Sequence, residues 1–143
     1  HAAGSGKGVS LNLMSTAERK EEVQKGMDAI KNAANKDASV YFRAPGGNFN
    51  DSVANDLRDM VQGEIGWNID TEDWRRPGAD TIASRIKSAG PGEVILMHDG
   101  GGDRSQTVAA LREALPYLKS QGYKFVTISE LIEAYPYQEG QHS

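Results

Sequence analysis

The sequence predicts an α/β fold built on parallel strands, and three observations carry that prediction. Short apolar runs stop on ionisable residues, most plainly Val94-Ile95-Leu96-Met97-His98 with Asp99 behind it. That is the profile of a buried parallel strand whose carboxyl end opens onto a loop-lined rim. Longer stretches with apolar residues at helical spacing alternate with these runs, and strand–helix alternation implies crossover connections between parallel strands. The length, 143 residues with 38% hydrophobic and 25% charged side chains, suits one globular domain spanning 1–143.

Taken in order, Ser15-Thr16-Ala17-Glu18 reads as a capping box opening a helix over 16–35, with Val23, Met27, Ile30 and Ala34 on one face. Val40-Tyr41-Phe42 is a short strand ending at Arg43, and Ala44-Pro45-Gly46-Gly47 breaks both periodicities. Asn50 or Asp51 caps the next helix, which carries Val53, Leu57, Met60 and Val61. Ile65-Gly66-Trp67-Asn68-Ile69 is read as one strand running into an acidic stretch. A helix with Ile82 and Ile86 follows and closes at Gly90-Pro91-Gly92. After the strand over 94–98, Ser105 opens a helix whose apolar face is Val108, Leu111, Leu115 and Leu118. A last strand is expected over 124–127, then a helix capped by Ser129, with 136–143 a polar tail. So few strands leave a parallel edge open, which suggests the later part of a larger α/β domain.

A formal net charge of −4 gives no electrostatic case for nucleic acid or an anionic membrane surface. No apolar run is long enough for a membrane span, and the first eight residues carry no signal-peptide h-region. With no cysteine, disulfides, thiolate metal sites and cysteine nucleophiles are excluded.

Three polar strand ends remain: Arg43-Ala44-Pro45-Gly46, Asp70-Thr71-Glu72-Asp73-Trp74 and Leu96-Met97-His98. In this order they resemble the later motifs of the polysaccharide deacetylase family, the NodB-homology carbohydrate esterases, over about residues 11–132. The resemblance implies a distorted (β/α) barrel, here truncated at its N-terminal side. It also implies metal-dependent hydrolysis of N-acetyl groups on a glycan such as peptidoglycan or chitin, with O-deacetylation of xylan as the alternative. It further implies an extracytoplasmic or secreted placement and a divalent metal, zinc or a related ion, that acidifies the attacking water. Within it, His98 would be the general acid for the leaving nitrogen, Asp73 would hold that imidazole, and Arg43 would orient the catalytic aspartate. Pro45, Gly46, Trp74 and Leu96 would line the substrate site, with the Gly46 amide facing the oxyanion.

The chain departs from the family pattern at its start. The Thr-Phe-Asp-Asp motif, which carries the base and a metal ligand, is absent, and of the family's two-histidine motif, which supplies two metal ligands, only the first has a counterpart, His1, the one candidate metal ligand the resemblance leaves. The missing segment would belong to the same domain. A glycan-binding remnant of the same fold, with the rim but no metal, is therefore the second reading.

Plainer readings stand beside these. His98 suits a histidine satisfied by backbone bonds, Arg43 an ion pair with Asp70 or Asp73, Trp74 and Leu96 plain core, Asp70 a loop cap, and His142 the tail. Gly6-Lys7-Gly8 lacks a P-loop hydroxyl residue, and Gly100-Gly101-Gly102 reads mainly as a rim loop, with phosphate binding a third hypothesis. Asn50-Asp51-Ser52 matches a glycosylation acceptor, though a helix cap is simpler.

Overall fold

In a computed structural model that describes residues 10–135, the chain divides after Gly66 into two units, 1–66 and 67–143. The first unit begins with the capping box. The Ser15 amide donates to Glu18 Oε2 at 2.8 Å and the Glu18 amide to Ser15 Oγ at 3.3 Å, which satisfies two of the free donors of a first turn. Helix α1 (Thr16–Ala34) follows and buries Val23 but leaves Ile30 exposed. Its buried Arg19 donates to Leu11 O, Ser52 Oγ and Asp56 Oδ2, pinning α1 to helix α2 (Asp51–Leu57). Asn50 caps α2 by accepting from the Val53 amide at 3.0 Å.

Strand β1 (Tyr41–Phe42) pairs in parallel with β2 (Gly63–Glu64). Leu11, Val23, Ala44, Val53 and Leu57 form the core beneath them. Burying such aliphatic side chains stabilises by roughly 1.5–3 kcal/mol each.

In the second unit, β3 (Ile69–Asp70) pairs in parallel with β4 (Ile95–Leu96), Ile69 opposite Ile95 and Asp70 opposite Leu96. Helices α3 (Ala79–Lys87) and α4 (Ser105–Ser120) pack through Ile82, Ala83, Ile86, Ala110, Ala114 and Leu118. Helix α5 (Ile128–Ala134) ends the described chain.

Four sequence expectations are corrected. The run 65–69 is not one strand: Glu64 and its neighbour pair with β1, Ile69 and Asp70 pair with β4, and Gly66 interrupts the ladder between them. The strand over 124–127 does not form; Phe125 and Val126 are exposed, and Thr127 is drawn into capping α5. That cap is a second capping box, Thr127 with Glu130, in place of Ser129. The buried face of α4 is Thr107, Ala110, Ala114 and Leu118, rotated from the expected one, so Val108 and Leu115 are exposed. Small residues win that face because α3 lies against it with its own Ala83.

Candidate functional site

The end of β3 is fixed before any functional group appears. Thr71 is fully buried, its hydroxyl donates to Leu96 O at 2.7 Å, and its own carbonyl accepts from Arg85 Nη1 of α3 at 2.6 Å. Asp70 Oδ1 accepts from the Glu72 amide at 2.9 Å, a local loop cap. A single turn of 3₁₀-helix, Asp73–Arg75, follows between Glu72 (φ 49°) and Arg76 (φ 52°). Left-handed backbone at two non-glycine residues is a local strain that the surrounding bonds must hold in place.

That turn sends Asp73 inward and Trp74 outward. The Asp73 side chain is fully buried and accepts three hydrogen bonds. His98 Nδ1 lies 2.7 Å from Oδ1, while the His98 amide and Thr107 Oγ1 each donate to Oδ2 at 2.8 Å. Burial pushes the carboxyl upward, but the bonds from the His98 ring, the His98 amide and the Thr107 hydroxyl together outweigh it and hold it below the usual carboxylate value. Asp73 is therefore an anion, and an ionised carboxylate only accepts. It follows that His98 Nδ1 carries the proton of the shared bond. Nε2, on a ring about a third exposed, has no partner among the described residues and is the nitrogen free to exchange a proton with a bound molecule.

The Trp74 ring is half exposed, with the Arg75 guanidinium carbon 4.8 Å from its centroid. Trp74 is thus not core, whereas Leu96 is half-buried on β4. The loop 99–104 closes on itself: Arg104 Nε donates to Gly100 O at 2.9 Å, and Asp103 Oδ1 accepts from the Ser105 amide that opens α4. Thr107 is the residue that sequence reasoning passed over. The signal was its place three residues before Ala110, on the face that turned out to be buried.

Arg43 belongs to the first unit, at the end of β1. Its Nε donates to Ile65 O at 3.0 Å and its Nη2 to Gly66 O at 3.4 Å. Beside it, burial pushes the Glu64 carboxyl upward, against the pull of the Ala44 amide and the Arg43 charge. Pro45 opens a tight turn in which Gly46 has φ 67°, a conformation that favours glycine. His1 and His142 lie outside the described residues. Among the described residues no three His, Asp or Glu side chains are gathered as a metal-holding group. They do not by themselves fit the divalent ion expected above, so no chemical step is routed through one.

No family model matches the chain. It is 48% identical over 96 residues to the peptidoglycan-N-acetylglucosamine deacetylase of Bacillus cereus, covering 65% of this chain and 45% of that protein. A chitooligosaccharide deacetylase of a Bradyrhizobium species is 32% identical over 133 residues, covering 85% of this chain and 61% of that one. Among solved structures, a family 4 carbohydrate esterase pseudoenzyme of Bacillus anthracis superposes with a TM-score of 0.74 at 36% identity, over 84% of this chain and 41% of that chain. The chain thus spans about half the length of the relatives it matches.

Proposed function

The chain belongs to the polysaccharide deacetylases of carbohydrate esterase family 4, and from that premise we propose that it supplies the proton-donating side of a hydrolase that removes N-acetyl groups from a glycan. The observation that carries the reading is the buried Asp73 carboxylate bonded to His98 Nδ1 at 2.7 Å, which leaves Nε2 open. Hydrolysis of an acetamide breaks a carbon–nitrogen bond whose amine departs only when protonated. His98 delivers that proton from Nε2, and Asp73 keeps the ring oriented. Trp74 and Leu96 wall the acetyl group. Arg43, Pro45 and Gly46 take their roles by position in the family's motif, Arg43 orienting the base and the Gly46 amide facing the oxyanion. The two units are read as parts of one domain, acting at the cell wall outside the cytoplasmic membrane. Support for that placement comes from the peptidoglycan substrate in a relative's name; no described helix is long and apolar enough to cross a membrane.

A second reading, a glycan-binding remnant, is favoured by one specific observation. A pseudoenzyme of carbohydrate esterase family 4 stands among the similar solved structures. Acetate release from N-acetylated chito-oligosaccharides, measured on the whole chain with and without added zinc or cobalt, separates the two. Release that His98→Ala abolishes supports the hydrolase. Saturable glycan binding without acetate supports the remnant, and neither binding nor release overturns both.

A further inference from the structure

We propose that Thr107 is a positioning residue for the His98–Asp73 pair, the second foot of a loop staked at both ends on one carboxylate oxygen. The inference rests on the reading of His98 as proton donor. Residues 97–104 connect β4 to α4. At one foot the His98 amide donates to Asp73 Oδ2 at 2.8 Å, and at the other Thr107 Oγ1 donates to the same oxygen at 2.8 Å. Thr107 is buried at 4% exposure, so water does not take over its bond.

The division of labour on Asp73 follows from these contacts. Two donors on Oδ2 prevent the carboxylate from turning about its Cβ–Cγ bond, and that leaves Oδ1 for the imidazole alone. Without Thr107, Oδ2 keeps only the backbone amide, which sits on the same segment as the ring it is meant to orient. The carboxylate then has no anchor independent of His98. Thr107 provides that anchor from the first turn of α4, where the positive end of the helix also favours a neighbouring anion. Gln106, one residue earlier, accepts from the Gly78 amide at 2.8 Å, so the same turn of α4 also holds the segment after Trp74.

The test reads the His98 ring proton rather than turnover. In ¹H–¹⁵N spectra of the whole chain, the Nδ1–H of His98, assigned with His98→Gln, gives an exchange-protected resonance. Thr107→Val keeps the shape and removes the hydroxyl, and it is expected to speed exchange of that proton roughly tenfold, the effect of losing one buried hydrogen bond. Thr107→Ser restores the wild-type rate. A purely structural Thr107 would lower the melting temperature and leave the ring proton's rate unchanged in the folded Val variant, which overturns the proposal. Should Thr107→Val not fold, the wild type decides: the Thr107 hydroxyl proton must be slowly exchanging and show a cross-peak to the His98 amide, and its absence overturns the proposal equally. If the wild type shows no protected Nδ1–H, the His98–Asp73 reading itself fails. If it does and Thr107→Val leaves it untouched, only the Thr107 inference falls.

Discussion

Asp73 and His98 are joined twice, through the ring at 2.7 Å and through the backbone amide at 2.8 Å. The second bond matters as much as the first. It fixes the main chain of His98 at the end of β4, so the ring has little freedom beyond its own two side-chain torsions when it meets the carboxylate. A pair held at both levels is preorganised, and preorganisation is what lets a donor act without rearranging at the moment of reaction.

Asp73→Asn is the sharpest test of that pair. Asparagine has the same shape but presents an NH₂ where the native carboxylate only accepts, so one of the three donors around it faces another donor. Losing a charged, buried acceptor costs about 2–3 kcal/mol of stability, read from urea unfolding. Deacetylation by a chain that shows it falls on the order of 10²–10⁴-fold, since the ring is no longer held in the donating orientation.

The same carboxyl fixes a pH dependence. Its folded value lies below the ordinary 3.8, so the folded protein binds the proton later than the unfolded one as pH falls. The stability Asp73 contributes is therefore complete above the unfolded value and lost as pH drops through the folded one. The advantage of wild type over Asp73→Asn in unfolding free energy at pH about 5 should shrink steadily below pH about 4. Glu18, Asp56, Asp103 and Glu130 are also held low, but they are common to both proteins and cancel in the difference.

Core substitutions test the rotated face of α4. Ile86 is fully buried against Ala110, Ala114 and Leu118, and Ile86→Ala should cost about 2–5 kcal/mol. Leu115 looked like core in the sequence but is exposed, so Leu115→Ala should change stability by no more than about 0.5 kcal/mol. Equal costs for the two would mean the face assigned from the sequence is the packed one.

What was legible in the sequence was local. The Ser15–Glu18 box needs only four consecutive residues, and it forms as read. The strand ends at Arg43, Asp70 and His98 were visible because an apolar run stops on a charge. What was not legible depended on partners. Residues 65–69 look like one strand, yet which sheet each end joins is decided by β1 and β4 elsewhere in the chain. The buried face of α4 is not the one with the largest apolar side chains, because close approach to α3 selects alanines. Thr107 was missed for the same reason: a lone threonine in an apolar pattern reads as an interruption until its acceptor, Asp73, is seen beside it.

Gly46 offers a backbone test within the first unit. Its φ of 67° is open to glycine, and a Cβ there would stand 3.0 Å from Asn48 Nδ2. Gly46→Ala should therefore destabilise by about 1–2 kcal/mol, the left-handed penalty plus displacement of the Asn48 amide. Gly46→Ala in an Asn48→Gly background should recover the contact part only, measured as a shift of the urea midpoint with unchanged slope.

Trp74 separates binding from folding. A large ring left half exposed and stacked by Arg75 contributes little to the core. Trp74→Ala should hold the unfolding free energy within about 0.5 kcal/mol of wild type. If Trp74 walls the acetyl site as proposed, a sugar ring lays its apolar face on that indole, so the variant should bind N-acetylated chito-oligosaccharide several-fold more weakly in calorimetric titration. Trp74→Phe, which keeps an aromatic face, should recover most of the affinity. Unchanged binding in Trp74→Ala would mean that the glycan does not rest on this indole, and the role given to Trp74 would fall.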